Sequence, residues 1–400
     1  MPFDDRLARR NALVLSVAQA LAGANASVVF ATGALLGQML GPSPAWATAP
    51  TTSFVLGTAC ATMPASALMR HFGRRLAYQI GAGIGVFAGL LAAWAIYRGD
   101  FWLFMAATAF CGVYQAFVMS YRFGATDQAS PAFRPKAISW VLLGGVAAAF
   151  IGPQLVIATK DITPPFTFLA SYIGQAMVAG VSILTLFAFR AGPAPVLATV
   201  QTARPLRAIL RSKRLVVAIL CGAITQALMN FIMTASPLAM VGCAHSITDA
   251  TLAIQWHIIG MFLPGLFTGG LINRFGVYAV MAAGLALLAA CGVIALAGIT
   301  VAHFDLALIA LGVGWNLAFV GASTLVAEGQ RPEERNRIQG FNDLVIFSLT
   351  ALASLSSGKI LAGFGWDALN LALFPCVLLA AFLVFWLWRD GKRQASPLQA

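Results

Sequence analysis

The sequence predicts an all-α membrane protein: twelve transmembrane helices in two pseudo-symmetric six-helix bundles. Three observations carry that expectation. Hydrophobic residues fill 60% of the 400 positions and charged residues only 10%, with a mean hydropathy of +0.84, whereas a soluble domain carries about 25% charged residues. Apolar runs recur along the chain, and a helix of about 20 residues crosses roughly 30 Å of hydrocarbon with its backbone satisfied internally. Short segments that match at a near-constant offset of about 200 residues point to a duplicated half.

The predicted spans lie at 11–38, 46–68, 76–97, 101–123, 137–158, 166–189, 215–241, 247–272, 277–299, 304–326, 337–361 and 367–388. The start, "RLARRNALVLSVAQALAGANA", has the basic opening, apolar core and small residues of a signal peptide. Its apolar stretch runs on to Leu40, too far for a core of about 7–15 residues, so it reads as the first span. The segment "RAGPAPVLATVQTARPLRAILRSKR", rich in Pro and Arg, reads as a central linker over 191–214 between an N-terminal bundle (1–190) and a C-terminal bundle (215–400).

Charge sets the orientation. With the amino terminus in the cytoplasm, all but Arg98, Lys160 and Lys359 of the 25 Lys and Arg residues fall on the inner side, so the positive-inside rule puts both termini there. The net charge of +12 therefore reads as topology rather than as a nucleic-acid surface, which needs basic residues gathered on one solvated face. The dispersed cysteines, Cys60, Cys111, Cys221, Cys243, Cys291 and Cys376, have neither metal-ligand nor redox spacing and read as packing residues. No cofactor, metal or nucleotide site is expected: the glycine-rich stretches "GAGIGVFAG" and "LLGGV" follow no strand and suit close helix packing.

The repeat is visible where "RHFG" (70–73) lies over "NRFG" (273–276), "AFV" (116–118) over "AFV" (318–320), and Pro131 and Arg134 over Pro332 and Arg335. With these residues in view, the chain resembles the major facilitator superfamily of secondary transporters over essentially its whole length. Leu68, Gly73, Arg74 and Arg75 in "SALMRHFGRR" match the family's loop between spans two and three. Gly269, Leu271, Arg274 and Gly276 in "GGLINRFG" match its echo between spans eight and nine. Gly152 and Pro153 are similar to the Gly-Pro of the fifth-span antiporter motif, and Asp127 with Arg134 to the acidic-then-Arg loop after span four. Two departures stand out: Arg70 occupies the usual Asp position, and no arginine precedes Gly112 in span four.

A cation at Arg70 would oppose a helix dipole where the family's carboxylate caps span eleven. Glu333 and Glu334 just before that span suggest a charge-reversed latch with Arg70 in the outward-open state, and Arg74 or Arg75 is expected to reach Asp127. The alternative is that these charges act only as topology determinants and headgroup anchors.

Ionisable groups at bilayer depth are costly and invite functional readings. His257 in "LAIQWHIIGMF" and Asp343 in "GFNDLVIF" are the candidate proton carriers. The alternatives are a packing histidine beside Trp256 and a helix-start carboxylate in the vestibule. Arg122 lies near enough to the inner surface to snorkel.

The resemblance implies that spans one, four, seven and ten surround a central cavity. Their polar residues are Asn25 and Thr32, Tyr114 and Gln115, Gln226 and Asn230, and Trp315 and Asn316. Gln226 and Asn230 share a helix face, and Tyr114 and Trp315 are suited to stacking on a planar ring. The same amides equally suit helix-to-helix contacts.

These observations imply a secondary carrier of the bacterial inner membrane, functional as a monomer and coupled to protons, that moves a small neutral or weakly charged organic solute. Gly152 and Pro153 tilt the direction toward export by antiport. The alternatives are proton-linked uptake of a planar, riboflavin-type vitamin and a non-transporting receptor or scaffold on the same fold. An enzyme is not expected, because no catalytic cluster converges.

Overall fold

The computed structural model describes residues 4–190, 210–329 and 334–395. The described residues are almost wholly helical: α1 (Asp5–Leu40), α2 (Ala49–Arg98), α3 (Phe101–Val118), α4 (Tyr121–Gly124), α5 (Arg134–Thr159), α6 (Leu169–Leu186), α7 (Lys213–Gly242), α8 (Ile247–Phe262), α9 (Thr268–Phe275), α10 (Val277–Ala297), α11 (Val301–Glu328), α12 (Arg335–Leu371) and α13 (Leu373–Ala395).

Among the described residues nine helical segments are long and apolar enough to cross a membrane, and two of them are far too long for one crossing. At 1.5 Å per residue, the 55 residues of Pro44–Arg98 and the 54 of Arg337–Asp390 exceed a bilayer core about twofold. Each divides at a glycine with non-helical torsions: Gly73 (φ 79°, ψ 159°) and Gly365 (φ 81°, ψ −176°). Spans two and three are thus the two arms of α2. Span eleven is α12 up to Gly365, and span twelve runs on through α13.

The basic segment expected to form a loop between spans two and three is therefore a single-residue break between two helices. A polar loop is unnecessary where the turn costs only one glycine in a region of torsion space that side chains avoid.

Gly276, which separates the eighth span from α10, has φ 82° and ψ 154°, nearly the torsions of Gly73. The matched "RHFG" and "NRFG" segments thus make the same backbone turn in each half.

Span eight is the expected crossing that bends within the bilayer. Ile247–Leu266 and Thr268–Phe275 meet at 53°, where Pro264 lacks an N–H and interrupts the ladder. The second half repairs the damage: Asn316 Nδ2 donates to the Met261 carbonyl at 2.7 Å, and Thr268 Oγ1 lies 2.8 Å from the Pro264 carbonyl and 2.6 Å from Asn316 Oδ1.

Small residues let the helices approach closely. A Cβ on Gly112 of α3 would stand 2.0 Å from the Phe54 carbonyl of α2, so this contact forms only with glycine. At the end that bears the termini, the first half is also tied by polar bonds. Asp5 accepts from Ser130 N and Oγ, both at 2.9 Å, which holds its carboxyl below the usual range. Asn11 exchanges two bonds with the Arg190 backbone at 2.8 and 3.1 Å.

The halves meet at the opposite end. Thr52 Oγ1 donates to Ser354 Oγ at 3.0 Å and Gln154 Nε2 to Gln255 Oε1 at 2.9 Å. A Cβ on Gly358 would meet Thr48 Oγ1 at 2.5 Å.

Gly73→Ala and Gly276→Ala are each expected to destabilise the fold by about 1–3 kcal/mol through torsional strain. The check is a lowered midpoint in thermal unfolding of the detergent-solubilised protein. Gly83→Ala is the control, since a Cβ there meets nothing within 4 Å and its backbone is helical.

Candidate functional site

Helical register decides which polar side chains reach the space between the halves. A cavity of about 190 Å³ lies there. Gln19, Gly23, Ala26 and Phe30 of α1 line it at the spacing of one helix face. The first half adds Phe54, Val55 and Thr58 of α2, Gln115 and Met119 at the end of α3, and Gly145 and Ala148 of α5. The second half supplies Gln226, Met229, Asn230 and Met233 from one face of α7, with Ile258, Met261 and Phe262 of the eighth span and Phe347 and Thr350 of α12. None of these lining residues is charged.

Three of the expected cavity residues, Gln115, Gln226 and Asn230, lie in this wall. Trp315 stands behind it, donating from Nε1 to Gln226 Oε1 at 2.7 Å and stacking on Phe319 with centroids 5.1 Å apart. The others face their own bundles. Asn25 donates to the Cys111 carbonyl at 3.0 Å and accepts from Gln175 Nε2 at 2.8 Å, and Thr32 meets Tyr172 Oη at 3.0 Å. Tyr114 is fully buried, with its ring where a Cβ on Gly85 would be, so neither expected aromatic is placed to stack on a ligand. Asn316 repairs the bend in span eight.

The contrast follows from rotation at 100° per residue. Asn25 is six residues from Gln19 and so projects from a different side of α1, and Tyr114 is one residue from Gln115. Sequence reasoning missed Gln19, the four methionines and the four phenylalanines of the wall. The i, i+4, i+7, i+11 run Gln19–Gly23–Ala26–Phe30 is the signal that marks this face.

The two candidate proton carriers have different settings. His257 is fully buried, with Nδ1 2.8 Å from the Leu308 carbonyl and Nε2 unpartnered. It packs between α8 and α11, one residue out of register with the cavity-lining Ile258. Asp343 begins a stripe on α12 that continues through Phe347 and Thr350 of the cavity to Ser354 of the contact between the halves. It accepts from Asn342 Nδ2 at 3.2 Å.

Arg122, on the stripe of Gln115 and Met119, attracts Asp343 electrostatically from the other half, although the two form no ion pair among the described residues. Arg122 is exposed and Asp343 partly so, so water reaches the cleft from the end that bears the termini.

Around that rim, Arg74 pairs with Asp127 at 2.5 Å (Nε–Oδ2) and 3.0 Å (Nη2–Oδ1), and its Nη1 lies 3.3 Å from Tyr78 Oη. Burial pushes the Asp127 carboxyl up from its usual value, against the pull of Arg74. Arg75 donates to the Phe187 carbonyl at 2.9 Å, and Arg134 Nε to the Ala129 carbonyl at 3.2 Å. Arg274 lies 5.2 Å from the Phe275 ring centroid.

Arg70 is exposed and forms no ion pair with a described residue, Glu334 is buried, and Glu333 lies outside the described residues. In span five, Gly152 packs on α1, where a Cβ would stand 2.4 Å from Ser27 Cβ, and Pro153 is buried within the helix.

A fold of twelve crossings with an uncharged cavity between its halves accords with the sequence model of the Major Facilitator Superfamily, which matches residues 15–350. The chain belongs to that superfamily. As a superfamily member it is a transporter rather than an enzyme.

Among curated superfamily relatives, the chain is 45% identical over 378 residues to the riboflavin transporter RfnT of Brucella anthropi, covering 94% of this chain and 95% of that one. It is 29% identical over 404 residues to the uncharacterized MFS-type transporter YdeG of Bacillus subtilis, covering 95% and 92%. Among solved structures, the nucleoside transporter NupG superposes with a TM-score of 0.74 at 14% identity, covering 95% of this chain and 99% of that one. The xylose transporter XylE of E. coli, in a partially occluded inward-open conformation, superposes with a TM-score of 0.71 at 14% identity, covering 95% and 97%.

Because Asn25 serves its own bundle, Asn25→Ala is expected to cost about 1–3 kcal/mol by leaving Gln175 short of a partner. The loss should appear as a lowered thermal midpoint, with the affinity for transported solute unchanged.

Proposed function

We propose that this chain is a proton-driven secondary carrier of the bacterial inner membrane that takes up a neutral, planar nutrient of the riboflavin type. The observation that carries the reading is the cavity wall: four amide side chains, methionines and phenylalanines, without a charge. A flavin presents two apolar ring faces, which suit thioethers and phenyl rings, and an edge of carbonyls and ring nitrogens, which suits amide donors. The activity named for the 45%-identical relative supports the same solute class.

In this reading both termini face the cytoplasm, as the distribution of Lys and Arg indicates. The cleft then opens inward, and the contacts at Thr52–Ser354 and Gln154–Gln255 close the outer side. Residues 1–190 and 215–400 rock against each other about the cavity, with 191–214 as the connecting linker. The cavity is complete within one chain, so the carrier works as a monomer. Uptake is preferred to the export suggested by Gly152 and Pro153, since here Gly152 serves helix packing on α1.

Asp343 is the better placed proton carrier. It lies one turn from the cavity, partly exposed to water, opposite a cation of the other half, whereas His257 is sealed inside its bundle. When the inner side closes, Arg122 and an ionised Asp343 approach, and protonation of Asp343 removes that attraction. The contacts of Arg74, Arg75 and Arg134 brace the inner rim of the first bundle, leaving the exposed Arg70 to meet the Glu333–Glu334 segment on closure. Arg274 and Gly276 hold the corresponding place in the second bundle.

Purified protein in liposomes, with the outside acid and the inside alkaline, is expected to accumulate riboflavin above its equilibrium level. Asp343→Asn should abolish accumulation while preserving exchange of internal for external riboflavin, and His257→Gln should leave accumulation intact. Accumulation that persists after a protonophore collapses the gradient would remove the proton, and failure to bind or move riboflavin would remove the solute class.

A further inference from the structure

The four cavity amides are not equivalent. Gln226 Oε1 is occupied by Trp315 Nε1 at 2.7 Å, and Asn230 Oδ1 accepts from Thr234 Oγ1 at 3.2 Å. Each of these residues of the second half can offer a ligand only its NH2 group, so they serve as fixed donors.

Gln115 of the first half differs: neither end of its amide has a partner among the described residues, and Oε1 is buried away from water. Rotating the amide exchanges its ends and still leaves one of them buried and unpaired. A buried polar atom without a partner is costly, and here the amide belongs to the wall of a cavity. Both ends are satisfied together by a ligand that carries an N–H beside a C=O, because a carboxamide pairs with such a unit through two parallel hydrogen bonds.

We propose that Gln115 reads the imide edge of the transported heterocycle, selecting rings with a C(=O)–N(H)–C(=O) unit. The inference rests on the riboflavin-type reading and assigns the specificity within it. The ring N–H donates to Gln115 Oε1 and one flanking carbonyl accepts from Gln115 Nε2. The second carbonyl is left for a fixed donor, Gln226 or Asn230. The methionines and phenylalanines of the wall then face the apolar remainder of the ring. Selection rests on the N–H, since a methyl group on that nitrogen removes the donor and puts bulk against the amide.

The test is a titration of the purified full-length protein in nanodiscs, following quenching of flavin fluorescence by riboflavin and by 3-methylriboflavin. The wild type is expected to bind riboflavin more tightly than the methylated analogue by at least about tenfold, the loss of one well-formed hydrogen bond. Gln115→Leu should lower riboflavin affinity by a similar factor and erase the preference, while 3-methylriboflavin binds as before. Where thermal unfolding shows the leucine variant to be unfolded, Gln115→Met takes its place, and the discrimination by the wild type needs no variant.

Equal binding of the two flavins by the wild type would overturn the imide assignment while leaving the riboflavin reading intact. A preference that survives Gln115→Leu would do the same and move the recognition to another residue. Failure of the wild type to bind either flavin would remove the solute class, and the imide assignment with it.

Discussion

Inside hydrocarbon no backbone N–H or C=O can be left to water, and the rest of this structure follows from that constraint. It makes every crossing a helix and confines the chain's sharp turns to glycines at helix ends, such as Gly73 and Gly276. Where a helix does break at depth, at Pro264, side chains of the protein itself complete the hydrogen bonding. Polar residues in the spans therefore have two uses. Some repair or join helices, as Asn316 and Asn25 do, and the rest point into the cleft, where a solute can use them.

The cavity that results is poor in charge but not in hydrogen-bonding capacity. Its donors come from amides, which carry no counterion and need no proton to work. Its apolar surface comes from thioethers and phenyl rings, which adapt to a flat ligand without dictating its charge. The ionisable groups stand lower in the cleft, at Arg122 and Asp343, one from each half. Solute recognition and charge coupling thus occupy successive levels of the same helix stripes, so both respond to the closing of one cleft.

Much of this was legible in the sequence. Twelve apolar runs, the alternation of basic gaps and the matched "RHFG" and "NRFG" segments led to the fold, because hydrophobic length and backbone torsion are local properties. The cavity was legible only in part. Gln115, Gln226 and Asn230 were found as polar residues in the right spans, but so were Asn25, Tyr114 and Asn316, which face elsewhere. Polarity reveals depth and cost, whereas the direction a side chain takes depends on the rotation of its helix against its neighbours. The methionines and phenylalanines carried no signal of their own, since an apolar residue in a span suits lipid, a bundle core or a ligand equally.

The bonds described between the halves differ in kind from those within them. The rim of the first bundle is held by Arg74 with Asp127, a charge-assisted contact, whereas the bonds across the outer seam join a hydroxyl to a hydroxyl and an amide to an amide. Neutral bonds of that sort contribute only about 1 kcal/mol each once water competes for their atoms. A seam of this kind can part by thermal fluctuation without melting either bundle, so the protein is built like a clasp whose jaws are far stiffer than its catch.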